Sequence, residues 1–349
     1  MIEHPLVHRS GVFFGLPEAE YHQALALSAS GVKHLRISTM DFWARCPALN
    51  PDWVDEETEA KLIGKAYHRR IVEGAEVFAA HYAAKLDPDA FPDALRTIED
   101  LTQALARHLV RPKSTWRKPD YVARLRELEP AAEIWDEIAR EHLTENSGKT
   151  LLDARLVGRI MQAARLIESH PQLGRAFAGG MPEVSVFWED RETGIPMKAR
   201  FDYLLPRAVV DLKSFSNALG LPIRRAVARA IANYRYHVQA ALYLEAAAIA
   251  RELIGEGRVS GEVDKDFLAQ VCDGADKTFL FVFQQTGAAP VARGVVLAPG
   301  ITLDLAAAEI NDAKYAFARA WERYGTEPWY DEAEIDTFDS ADLPAYFAG

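Results

Sequence analysis

The chain has 349 residues and 49% hydrophobic content, enough for one large domain or two ordinary ones with a substantial core. Its formal net charge of −11 excludes a surface coated in positive charge, so any nucleic-acid contact must come from local basic patches. Cys46 and Cys272 are the only cysteines, too few for a disulfide framework or a four-cysteine zinc or iron–sulfur site. No run reaches membrane-spanning length, and the start lacks a basic region followed by an apolar stretch, so the expectation is a cytoplasmic protein with no membrane partner.

Residues 1–36 read as an irregular lead-in, with Leu27-Ser-Ala-Ser-Gly-Val-Lys-His-Leu as a turn entering a helical segment. Ser38 or Thr39 caps a short amphipathic helix that Pro47 ends. A second helix over 56–73 has acids in its first turn and bases in its last. Gly64 and His68 share a face of it, so another backbone could approach Gly64 with His68 beside it. His68 is either a ligand or a lone histidine satisfied in the core or at the surface.

From 86 to 149 the chain is charged and helical, with prolines at 88, 92, 112, 119 and 130. Arg111, Lys113, Arg117 and Lys118 with Trp116 form its clearest basic cluster with interleaved aromatics, as a phosphate-tracking surface needs. A solvated helix face explains the same residues equally well. Another amphipathic helix spans 151–170.

Glu183 to Asp190 alternates as a strand, and Arg191-Glu-Thr-Gly is a hairpin turn. Phe201 to Leu205 reads as a second strand and Ala208 to Phe215 as a third, joined by a turn at Pro206-Arg207. Turns centred on Glu192-Thr193 and Pro206-Arg207 place Glu183 opposite Asp202 and Asp202 opposite Asp211, although a slip of one residue would send a carboxylate to the wrong face. Carboxylates facing one another at about 5 Å repel, and a divalent cation between them turns repulsion into binding. Lys213 shares the face of Asp211 because side chains alternate along a strand. An internal ion pair on an edge strand is the alternative reading of Asp211 and Lys213.

Residues 224–254 read as one long alanine-rich helix on which Gln239 and Tyr243 share a face. Strands over 278–284 and 291–297 and a closing helix over 303–324 follow. The order helix, three strands, helix, two strands, helix belongs to a mixed α/β sandwich.

Gly64-x-x-x-His68, Glu183, Asp202, Asp211-x-Lys213 and Gln239-x-x-x-Tyr243, in that order, resemble the PD-(D/E)xK nuclease superfamily. The likeness is greatest to its RecB-like and RecE-like (exonuclease VIII, phage-type) exonucleases. It covers roughly residues 27–330 and includes a Ser-x-Ser segment (28–30) and the pair Cys46-Pro47. Phe201 stands where the superfamily's name has proline, and two cysteines exclude the branch with an iron–sulfur cluster.

This resemblance implies a restriction-endonuclease-like core: a three-strand meander, a helix and further strands, flanked by helices. The nuclease domain would span 37–330, with a helical insertion at about 86–170 and a C-terminal tail at 331–349. It implies an exonuclease acting on the ends of linear duplex DNA in recombination or prophage DNA processing, with a single-strand annealing partner and a homo-oligomeric state. The rivals are a single-strand or endonucleolytic relative and a non-catalytic DNA-binding module with a structural ion. Asp202, Asp211, the Leu212 carbonyl, Glu183 and His68 would hold Mg²⁺, replaceable by Mn²⁺. Lys213 would hold or activate water, and Gln239 and Tyr243 would support the strand.

Overall fold

A computed structural model describes the chain apart from residues 1, 3, 5, 6, 274, 275, 288, 331–334, 336, 340 and 344–349. Most of the expected tail at 331–349 lies outside the described residues. The chain forms two compact units, Met1–Gly64 with Leu166–Gly349, and Lys65–Arg165.

The first unit begins with β1 (Gly11–Phe13), α1 (Glu18–Gln23), α2 (Ala29–Leu35), α3 (Thr39–Arg45) and α4 (Glu59–His68), which runs across the boundary. Ser28 caps α2 by accepting from the Gly31 amide, and Ser38 caps α3 by accepting from Asp41. The stretch expected to be an irregular lead-in therefore contributes a strand and two helices. A three-residue strand is too short to leave a periodic signal.

In the second unit a π-helical turn, Arg69–Glu73, leads to α5 (Ala75–His81), β2 (Tyr82–Ala84), α6 (Ile98–Arg107), α7 (Lys118–Leu128), α8 (Trp135–Glu145), β3 (Thr150–Leu152) and the start of α9 (Ala154–Ser169). The expected insertion at 86–170 falls mostly inside this unit. Thr97 and Asp100 form a reciprocal cap on α6, and β2 and β3 pair in parallel. Leu101, Ala104, Leu105 and Leu125 make a small core of their own.

The first unit resumes with β4 (Met181–Glu189), β5 (Pro196–Leu204), β6 (Ala208–Phe215), α10 (Ile223–Asn233), α11 (Tyr236–Gly255), β7 (Val259–Ser260), α12 (Lys265–Cys272), β8 (Thr278–Gln285), β9 (Ala292–Val295) and α13 (Ile301–Tyr324). Seven strands form one mixed sheet in the order β7-β1-β4-β5-β6-β8-β9. β6 is thus interior, antiparallel to β5 and parallel to β8, and not an edge strand. Small residues on α11, among them Ala240, Ala246, Ala247 and Ala250, are buried and let this helix lie close over the sheet. Phe281, Phe283, Phe317 and Trp329 fill the main core.

The single helix expected over 224–254 is two helices. Arg235 between them is left-handed, with φ 51° and ψ 45°. A non-glycine residue there costs roughly 1–2 kcal/mol, and no glycine or proline marks the break. The Arg235 guanidinium is ion-paired to Glu309 of α13, a tertiary partner that helical periodicity cannot reveal.

Lys314 of α13 lies between Asp190 at the β4–β5 turn, at 2.7 Å, and Glu245 of α11, at 2.8 Å. Burial would push the Asp190 carboxyl up, but hydrogen bonds from Lys314 and Thr193 outweigh it and hold it below its ordinary value. Burial likewise pulls Lys314 down, and the two carboxylates more than reverse it. Asp190's contribution is present above its unfolded pKa and lost as pH falls through the lower folded one. The contribution of Lys314 is present below its unfolded pKa and lost as pH rises through the higher folded one. Lys314→Met should therefore cost about 3 kcal/mol near neutrality, with the gap to the parent shrinking at both extremes of pH. Urea unfolding across pH tests this, and a gap independent of pH would show that the ions are not its cause.

Candidate active site

The two hairpins set the register. Pairs run from Glu189 with Pro196 to Met181 with Leu204, so Glu183 stands opposite Asp202. Tyr203 pairs with Val210 and Leu204 with Val209, while the Leu205 amide bonds to the Ala208 carbonyl around the Pro206-Arg207 turn. This is the register that turn placement predicts.

The ladder nevertheless opens where the carboxylates meet. Glu183 and Asp202 are left out of the backbone pairing on either side of them, and Glu183 takes φ 55°. Phe201 and Leu204, three apart on β5, both enter the main core, although strict alternation would send them to opposite faces. The strand changes face at this point. Pairing between β5 and β6 also stops after Tyr203 and Val210, and the Leu212 amide instead donates to the Asp202 carboxylate at 2.8 Å. An acidic side chain thus takes the place of a backbone acceptor.

Asp211 is fully buried on β6. Gln239 of α11 donates to its Oδ2 at 2.7 Å, and the Lys213 ammonium lies 2.5 Å from Oδ1. Burial would lower the Lys213 pKa, but the charges of Asp211 and Asp202 outweigh it and hold it above the ordinary value. Tyr243, one turn beyond Gln239, is packed edge-on against Phe201 and Phe279 and is held far above its ordinary pKa, chiefly by burial. Gln239 and Tyr243 therefore face the sheet together.

Glu183 is ion-paired to Arg200, whose guanidinium also donates to the Leu16 carbonyl at 2.9 Å and the Ser185 hydroxyl at 3.2 Å. Glu183 and Asp202 each offer a carboxylate oxygen within 4.8 Å of the other. With Asp211 and the backbone at Leu212, this set consists of hard oxygen donors, which suit a divalent cation. The carboxylates are not bare, since each is held by a group of the protein.

Gly64 rests against the Ser214 hydroxyl of β6, and a Cβ there would sit at 3.6 Å. The expected close approach of another backbone is thus an ordinary side-chain contact. His68 lies one turn farther along α4, past the unit boundary, and is half-buried with Glu73 at 3.7 Å. In the second unit Arg111, Lys113 and Arg117 are exposed. Lys118 pairs with Asp136 at 2.7 Å, and Trp116 packs edge-on against Tyr121 beside the small core.

Reading the sequence did not single out Lys33 of α2, Tyr236 at the start of α11, or Arg200. The Lys33 and Lys213 ammonium groups lie 5.3 and 5.2 Å from the centre of the Tyr236 ring. Burial and the charge of Lys213 bring the Lys33 pKa down to about 8. The one signal available was a lysine in a helix whose other members Ala29, Gly31, Val32 and Leu35 are buried.

Residues 28–253 match the family described as a PDDEXK-like domain of unknown function (DUF3799). No curated protein matches the chain. Among solved structures, a "putative exonuclease" from Eubacterium rectale is similar, with 14% identity and a TM-score of 0.45 over 88% of this chain and 85% of that one.

Removing the Asp211 carboxylate leaves the half-buried Lys213 ammonium without its nearest anion. Asp211→Ala should therefore destabilise the fold by about 3 kcal/mol, and adding Lys213→Met should restore part of it. Denaturant midpoints of the parent and of these two variants measure this. A stable single variant would show that water already compensates Lys213.

Proposed function

The chain belongs to the PDDEXK-like family, and from that premise we propose that it is a metal-dependent deoxyribonuclease, an exonuclease that hydrolyses phosphodiester bonds from the ends of linear duplex DNA. The observation that carries this reading is the pair of buried Asp211 and half-buried Lys213 beside Asp202 and Glu183. A purely structural cation site has no use for an ammonium next to its carboxylates, whereas phosphodiester hydrolysis does.

Asp202, Asp211, Glu183 and the Leu212 carbonyl would hold Mg²⁺, with Mn²⁺ able to replace it. When bound, the ion supplies charge to the phosphorane-like transition state and lowers the pKa of water. As an ammonium, Lys213 donates to the attacking water or a non-bridging phosphate oxygen, where negative charge grows. Gln239 fixes Asp211 by donating to its Oδ2, and Tyr243 anchors the helix that carries Gln239. Arg200 sets the direction of Glu183.

The finer assignment is a RecE-like enzyme of recombination or prophage DNA processing, working as a homo-oligomer with a single-strand annealing partner. With a net charge of −11 the chain should repel uninterrupted duplex, so threading an end into a locally basic passage is the favoured mode of entry. Arg111, Lys113, Arg117 and Lys118 would track the phosphates, with Trp116 supporting the segment that presents them.

Linear duplex should be degraded in Mg²⁺ while covalently closed circles survive, and Asp202→Asn should abolish release of acid-soluble nucleotide. If circles are cut as fast as linear DNA, the endonucleolytic alternative replaces this reading. Lys213→Ala should be inactive yet retain Mg²⁺ binding by calorimetry.

Changing Arg111, Lys113, Arg117 and Lys118 together to Ala should weaken DNA binding and flatten its salt dependence, since each phosphate contact adds about −0.9 to the log–log slope. An unchanged slope would make this segment a solvated face.

A further inference from the structure

Tyr234 and Tyr236 flank the left-handed Arg235 and stack on one another, with ring centres 5.6 Å apart and planes at 28°. Their environments differ. Tyr236 packs against Phe281 and Phe283 and has Lys33 and Lys213 beside its ring, whereas Tyr234 is 61% exposed. One ring therefore separates Lys213 from an open aromatic face. A left-handed non-glycine residue costs free energy, and here its effect is to bring two tyrosines into a stack at the edge of the site.

Lys33 adds a second, independent observation. Lys198, a buried lysine, donates to three carbonyls, those of Tyr21, His22 and Ala24, and is thereby explained as a structural cation. Among the described residues Lys33 makes no salt bridge, and the charges that bear on it are Lys213, Asp211 and Arg235, all groups around the site. The repulsion of Lys213 on Lys33 exceeds the attraction of Asp211, and a further anion beside Lys33 would relieve it.

We propose that Tyr234, Tyr236 and Lys33 form a subsite for an unpaired nucleotide next to the scissile phosphodiester, in which a base stacks on Tyr234 and Lys33 contacts the adjoining phosphate. This rests on the nuclease reading above and adds to it the strand state of the substrate: the terminal base pair is opened before hydrolysis. Stacking on an aromatic ring accepts any base, so the subsite confers a preference for unpaired ends without sequence preference.

The test measures binding of the full chain to fluorescent oligonucleotide duplexes in chelator, where no cleavage occurs. The duplexes carry either a short single-stranded overhang or the same overhang with an abasic terminal position. For the parent the intact overhang should bind about tenfold more tightly than the abasic one, the range expected for one stacked base. In Tyr234→Ala that difference should vanish, and Tyr234→Phe should restore it. Lys33→Gln should reduce the salt slope by about one phosphate contact while Lys33→Arg keeps it.

Equal abasic penalties in the parent and Tyr234→Ala would overturn the stacking role, and an unchanged slope in Lys33→Gln would overturn the phosphate contact. If the parent binds and degrades DNA in Mg²⁺ but shows neither effect, only the subsite fails. A parent that neither binds nor degrades DNA overturns the nuclease reading as well.

Discussion

Burial of the Asp211 carboxylate on an interior strand is the constraint on which the site depends. A charge in that position is tolerable only when paired and hydrogen-bonded. Lys213 meets the first need from the same strand face and Gln239 the second from α11. The second requirement fixes more than one bond. Gln239 can reach Asp211 only if α11 crosses close over β6, and the run of small buried residues along that helix makes this approach sterically possible. Core packing and site chemistry are thus two demands on one helix, and the same residues meet both.

The carboxylates gather where the regular sheet stops. Backbone groups fully engaged in a ladder cannot present themselves to a ligand, and strict alternation would keep neighbouring acids on fixed faces. Opening β5 from β6 beyond Tyr203 releases the Leu212 amide, which Asp202 then satisfies. The left-handed Glu183 lets its carboxylate meet both Arg200 and the neighbourhood of Asp202. Local strain and lost ladder bonds are the cost of bringing like charges together.

Much of this was legible in the sequence for a definite reason. Two hairpins with short turns transmit register through residue counting alone, so Glu183, Asp202 and Asp211 could be aligned before any coordinates. Gln239 and Tyr243 followed from helical spacing. What counting cannot show is where regularity fails. The break at Arg235 depends on Glu309, some seventy residues away in sequence, and the opening of the ladder at Glu183 depends on Arg200. β1 was hidden because three residues carry too little pattern. Lys33 was hidden because an isolated lysine acquires meaning only from what packs beside it.

That last case bears on how cations in such a fold are to be interpreted. Lys198, Lys213, Lys314 and Lys33 are all withdrawn from solvent to some degree, and their partners separate them. Carbonyls satisfy Lys198 and two carboxylates satisfy Lys314, so both stabilise the scaffold without reference to a ligand. Lys213 is shared between scaffold and site, since its anion is itself one of the hard oxygen donors. Lys33 has an aromatic face and the distant attraction of Asp211, which the repulsion of Lys213 and Arg235 opposes, and it has no salt bridge of its own among the described residues.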